Sequence, residues 1–145
     1  MVKKRTCGFT LVEMMVVIAI IAVLSAIAVP NFMEYARNQR LNGAARQVYG
    51  DLMNARQQAV TENKKIIVQF VNNHQYKFVR DDETLALRDI HPDYSDVTFS
   101  AGSNPAFRPN GTGNNLTITL TSSSTGKTKC IMLSIAGRIR IGDCS

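Results

Sequence analysis

Polar and apolar positions divide the chain into three regimes. Residues 1–8 are short, polar and basic, with Lys3, Lys4 and Arg5 and no acid. Residues 9–29 are apolar around every face, and Glu13 is their only charge; Pro30 closes the run. At a rise of 1.5 Å per residue these 21 residues span about 31 Å, the thickness of a bilayer core. A helix apolar all round is either a membrane span or the buried centre of a large domain. A chain of 145 residues has little left to surround such a helix, so the pattern predicts a membrane span.

Residues 31–63 lack proline and change period. Leu41, Ala45, Val48, Leu52, Ala55 and Ala59 recur at spacings of four and three, one face of a helix, while Arg40, Arg46, Arg56 and Gln57 lie off it. Gly43 and Gly50 weaken that helix locally, by about 1 kcal/mol each relative to Ala. Proline removes a hydrogen bond and bends a helix. With helical sequence on both sides, Pro30 is expected to kink one long helix of about 50 residues rather than end it, and Asn63 is its expected end.

From Lys65 the period falls to two. Residues 66–71 and 75–80 read as strands of a hairpin, with Asn72-Asn73 expected to take positive φ in the turn. Asp81-Asp82-Glu83 reads as an acidic turn with ligand spacing too sparse for calcium, residues 84–96 as irregular, and residues 97–99 as a short strand. A loop over 100–115 follows, then strands over 116–120, 129–135 and 138–141, with a tight turn at Ala136-Gly137. The predicted class is α+β: a long N-terminal helix, kinked near Pro30 and amphipathic beyond it, packed on an antiparallel β-sheet domain. The boundaries are 1–8, 9–29, 30–63 and 64–145.

Charge adds direction. Net charge is +6, and three of the 17 Lys and Arg lie in residues 1–8; the remaining 14 against 11 acids give +3. The basic flank is expected on the cytoplasmic side, with the C-terminal bulk across the membrane. Of three cysteines, Cys7 precedes the apolar run, and no apolar stretch leads up to it as a lipoprotein signal requires. Cys130 and Cys144 remain: a disulfide in an exported domain, two free thiols in a reducing compartment. The final hairpin brings the two close to opposite one another.

Glu13 costs roughly 2.5–3.5 kcal/mol if it sits deep in the bilayer. Either a cation offsets it or it lies near the headgroups. Gly8-Phe9-Thr10-Leu11-Val12-Glu13 followed by an apolar run resembles the type III signal of type IV pilins and type II secretion pseudopilins. That resemblance implies cleavage after Gly8 by a prepilin peptidase and N-methylation of Phe9. Residues 1–8 are then a leader, residues 9–29 a transmembrane and filament-core helix, and residues 64–145 a periplasmic domain. It also implies that Glu13 pairs with the N-terminal amine of a neighbouring pilin or pseudopilin, and that the chain passes from the inner membrane into a pilus or pseudopilus. Phe107-Arg108-Pro109-Asn110-Gly111 and Gly137-Arg138-Ile139-Arg140 resemble the FimT/GspH group of minor pilins and pseudopilins.

No pattern supports an enzyme, a metal site or a cofactor. His74 and His91 stand apart in the sequence, without a carboxylate or Cys at ligand spacing. Ser134 has no nucleophile-elbow glycines. The expected function is a minor pilin or pseudopilin supporting secretion or pilus assembly. The alternative is a DNA-binding minor pilin, because Gly137-Arg138-Ile139-Arg140 is similar to the G-R-x-R tail of FimT proteins. On a strand Arg138 and Arg140 share a face. With Lys127 and Lys129 on the neighbouring strand, and Arg108, they would form a basic patch for phosphates. No aromatic residues interleave with them for base stacking.

Overall fold

The structure, a computed structural model, describes residues 10–144. Helix α1 runs over Leu11–Thr61, and the chain divides after Tyr35 into an apolar unit and a folded unit beginning at Ala36. Gly8 and Phe9 lie outside the described residues.

In the apolar unit α1 opens with a cap. Thr10 Oγ1 accepts the Glu13 N–H at 3.1 Å, and the Thr10 carbonyl accepts the Met14 N–H at 3.2 Å. Thr10-Leu11-Val12-Glu13 is thus the Thr-x-x-Glu of a capping box, and Glu13 sits in the first helical turn, where the helix dipole favours an anion. The helix passes through position 30 without a stop. Proline has no N–H for the carbonyl one turn back. Beside it, Asn31 Nδ2 donates to the Ile27 carbonyl at 3.2 Å.

In the folded unit the rest of α1 presents the stripe read from the sequence. Leu41, Ala45, Val48, Leu52, Ala55 and Ala59 are all buried, joined by Ala44. Gly43 leaves room for the Tyr94 ring, which a Cβ would meet at 2.9 Å. The helix ends in a Schellman motif. Asn63 has φ 52°, Lys64 N–H reaches the Ala59 carbonyl at 3.2 Å, and Asn63 N–H reaches Val60 at 3.3 Å.

Eight strands follow: β1 Ile66–Phe70, β2 Gln75–Arg80, β3 Glu83–Asp89, β4 Val97–Ala101, β5 Ala106–Phe107, β6 Leu116–Ser122, β7 Thr128–Leu133 and β8 Ile139–Gly142. They form two antiparallel four-stranded sheets, β3-β2-β1-β5 and β4-β6-β7-β8, which together make the expected antiparallel β-sheet domain. Both sheets and the helix share one core. Phe70 and Tyr76 of the first sheet meet Phe99 of the second with ring centroids 5.0 and 5.6 Å apart, and Tyr76 also meets Phe70 and Phe78 of its own sheet edge to face. Burial raises the Tyr76 phenol's pKa, and its O–H donates to Asp51 on α1 at 2.5 Å.

Three expectations are corrected. Residues 84–96 are not uniformly irregular, because β3 occupies their first half. It is an exposed edge strand, and its register on β2 jumps from Phe78↔Ala86 to Val79↔Thr84, so a bulge at Leu85 breaks the alternation that marks a strand. Positive φ belongs to Asp81 (47°) and Asp82 (66°), the two-residue turn joining β2 to β3, rather than to Asn72-Asn73. Asn72 shapes its own turn instead, its side-chain oxygen accepting the N–H groups of His74 and Gln75 at 2.8 Å each. The 100–115 loop contains β5, which pairs with β1 through Ile66↔Phe107.

Candidate functional site

Two features carry chemistry: the apolar helix and the arginine tail. Every described side chain from Leu11 to Val29 is exposed, and this is the one helix among the described residues long and apolar enough to cross a membrane. No described residue covers its Val, Ile, Leu and Met side chains. Bilayer or neighbouring helices must do so, and the protein is membrane-anchored.

The arginine tail rests on a joint between two loops. Gly137 has φ 74°, and a Cβ there would lie 1.9 Å from the Gly111 carbonyl oxygen. Only glycine accepts both the left-handed backbone and that contact. The same Gly111 carbonyl accepts Arg56 Nε from α1 at 3.0 Å. Gly111 N–H donates to the Arg108 carbonyl, and Gly113 N–H to the Ile135 carbonyl, both at 2.9 Å. Phe107–Gly111 and Gly137–Arg140, distant in sequence, therefore meet, with Arg56 clamping them to the helix. Ser134 closes the turn, its hydroxyl accepting the Arg138 N–H at 3.2 Å.

Arg138 lies in that turn, just ahead of β8, and Arg140 lies on β8 opposite Met132. Both are exposed, both flank buried Ile139, and both line one groove of about 440 Å3 with Met132, Leu133 and Asn115. The wider patch does not form. Lys129 sits three residues from Met132 and so points to the other side of β7; it pairs with Asp143 at 2.5 Å. Lys127 precedes β7 rather than lying on it, and lines a separate cavity with Lys129. Arg108 is exposed but donates to the Gly113 carbonyl of its own loop at 3.3 Å and does not line the groove.

A disulfide joins Cys130 to Cys144, with Cα atoms 5.1 Å apart. Cys130 faces Gly142 across the hairpin, so the residues after β8 fold back to close the bridge. His74 and His91, apart in sequence, stack edge to face with ring centroids 4.9 Å apart. Asp89 beside them has its pKa lowered by the Gln75 side-chain donor and the His91 N–H. Among the described residues no group of three His, Cys, Asp or Glu is arranged to hold a metal. Two roles escaped the sequence reading. Thr10 as cap was readable from its spacing to Glu13; Arg56 as clamp had no local signal, because its partner is 55 residues away.

Comparison with known proteins agrees with this geometry. Residues 3–29 match the prokaryotic N-terminal methylation motif, and residues 44–137 match the family described as type II transport protein GspH. A fimbrial protein of Pseudomonas aeruginosa is 40% identical over 64 residues, 44% of this chain and 41% of that protein. The type IV major pilin protein PilA of Myxococcus xanthus is 48% identical over 40 residues, 28% of this chain and 18% of its own length. The chain thus spans less than half the length of these curated relatives. Among solved structures, the type IV minor pilin FimU of Pseudomonas aeruginosa aligns with TM-score 0.62 at 19% identity, covering 74% of this chain and 92% of FimU. The minor pseudopilin EpsH of the Vibrio cholerae type 2 secretion system aligns with TM-score 0.60 at 10% identity, covering 72% and 97%. The fold is theirs, and the match over residues 44–137 makes this chain a member of the GspH family, within the type IV pilin and pseudopilin superfamily.

Proposed function

We propose that the chain is a minor pilin or pseudopilin. A prepilin peptidase cleaves it after Gly8 and methylates Phe9. It stands in the inner membrane with its basic N-terminus cytoplasmic and the folded unit periplasmic, and it then enters a type II secretion pseudopilus or a type IV pilus, supporting secretion or pilus assembly. Its family is non-catalytic, and its work is assembly. The observation that carries this reading is the helix over residues 11–29, exposed on all faces behind a basic flank. Such a helix exchanges lipid for other pilin helices at little hydrophobic cost, since both surroundings are apolar. Glu13 would then steer docking by pairing with a neighbour's N-terminal amine. Glu13→Ala is expected to be inserted, cleaved and methylated but absent from sheared filaments, as measured by mass spectrometry and immunoblotting. Normal incorporation of that variant would sink the pairing.

A second reading is favoured by one observation, the shared groove of Arg138 and Arg140. Two exposed guanidinium groups along one groove suit a phosphate backbone. No aromatic side chain lines the groove, so binding would be electrostatic and without base stacking. Arg138→Gln with Arg140→Gln is expected to abolish a DNA mobility shift, lowering affinity about tenfold or more at low salt, and to leave filament incorporation intact. A retained shift rules this reading out.

A further inference from the structure

Asparagine stands before glycine at two places in the chain, Asn42-Gly43 and Asn110-Gly111. A glycine nitrogen is the least hindered of backbone nucleophiles, because no side chain shields it and its dihedrals are free. The structure treats the two pairs differently. Asn42-Gly43 lies inside α1, where the helix fixes the backbone and Gly43 packs against the Tyr94 ring. Asn110 is exposed, in the loop between β5 and β6, within the turn that the Gly111 N–H closes on the Arg108 carbonyl. Its Oδ1 accepts two hydrogen bonds from one residue, the Thr112 N–H at 3.1 Å and the Thr112 hydroxyl at 2.7 Å. Both donors draw electron density from the side-chain amide carbon. They also sit where negative charge would develop if a nucleophile added to that carbon, which is the arrangement of an oxyanion hole.

We propose that Asn110 is a site of self-modification, at which the chain converts its own side-chain amide to a carboxylate with Thr112 supplying the oxyanion donors. The Gly111 nitrogen gives up its proton and bonds to Asn110 Cγ. The negative charge this places on Oδ1 is held by the Thr112 N–H and hydroxyl. Collapse expels Nδ2, which takes up the proton and leaves as ammonia, and a cyclic imide remains. Water then opens the ring at either carbonyl, giving an aspartyl or an isoaspartyl residue at position 110; nothing is oxidised or reduced. The Gly111 N–H is bound to the Arg108 carbonyl, so the turn must open before attack, and the reaction belongs to the ageing of the protein. Its position gives it a consequence. The Gly111 carbonyl lies against Gly137 and accepts Arg56 Nε. The isoaspartyl product routes the main chain through Cγ and lengthens it by one carbon, which moves Gly111 out of that joint and loosens the turn that carries Arg138. The site uses neither the filament nor the DNA reading.

The test incubates the full chain in detergent for weeks in mildly alkaline buffer and follows each asparagine by peptide mass spectrometry. A gain of about one dalton, as NH2 gives way to OH, is expected to accumulate at position 110 while Asn42 keeps its amide. Thr112→Val lacks the hydroxyl donor and is expected to convert at least about fivefold more slowly. Thr112→Ser keeps the hydroxyl and is expected to stay within about twofold of the unaltered chain. Circular dichroism checks that both variants fold, and the contrast between positions 110 and 42 needs no variant. An intact amide at position 110, equal conversion at position 42, or a Thr112→Val chain that converts as fast as the unaltered one overturns the proposal. The isoaspartyl form is expected to unfold at a lower denaturant midpoint, whereas Asn110→Asp, which has the charge without the added backbone carbon, should keep its midpoint. An equal loss in both would overturn the displacement of Gly111.

Discussion

Gly137 is the residue on which the two loops of the FimT/GspH-like motif depend. A side chain there meets the Gly111 carbonyl, a backbone atom that cannot swing aside, and the left-handed φ adds its own cost. Gly137→Ala is expected to destabilise the folded unit by at least about 2 kcal/mol, read from a chemical denaturation midpoint, and to displace Arg138. Gly50 is the contrast: its Cβ position is open, and Gly50→Ala should be neutral or stabilising by up to about 1 kcal/mol in the same measurement. Both glycines are visible in the sequence, but only one is structurally required. The difference is a partner 26 residues away in the chain. Glu13 makes the complementary case. Its cap by Thr10 is local, so the Thr-x-x-Glu spacing suffices to find it.

At the scale of elements, hydrophobic period decided what could be read. The α1 stripe was legible residue by residue because burial repeats with the helix turn. β6 was legible because Ile118 and Leu120 alternate with threonines. β3 was not, since an exposed edge strand with a bulge has little burial to alternate. The β7–β8 hairpin is tied off by the Cys130–Cys144 bridge, which closes a loop 14 residues apart in sequence. Loop-closure entropy puts its contribution at about 3 kcal/mol. Reduction should lower the denaturation midpoint accordingly, and intact mass should rise by about two daltons as the bond gains two hydrogens. An unchanged midpoint would mean that the C-terminus is held mainly by its other contacts.

For the whole molecule, acid is the informative variable. Glu62 has its pKa held below its ordinary 4.5 by the Arg80 and Gln58 donors. Asp81 is held below 3.8 by Lys64, 2.8 Å away, Asp89 by Gln75 and the His91 N–H, and Asp96 by Ser124 and Ser122. Each folded pKa lies below its unfolded value, so the folded state binds fewer protons over that interval. The stabilisation is present above the unfolded values and is lost as pH falls through the folded ones. A thermal midpoint should be steady near neutrality and fall below about pH 4. Asp96→Asn should make the acid limb shallower, because it removes one of the titrating groups.

The sequence by itself determined the processing motif, the anchor, the helical stripe and most strands, because each depends on residues within a turn or a few positions of one another. It also placed the chain beside pilins and pseudopilins, where the comparisons put it. Tertiary structure decided which cations act together. Five were candidates; the register of β7 and β8 leaves Arg138 and Arg140 on one groove and sends Lys129 to the opposite side. It also decided that strands would split into two sheets, that the two histidines would touch, and that Arg56 would hold the motif loops. These outcomes depend on pairing register and long-range closure. One residue of shift in a strand reverses the face of every side chain it carries, and the shift is fixed by the partner strand, the turn and the face that is buried rather than by the strand alone.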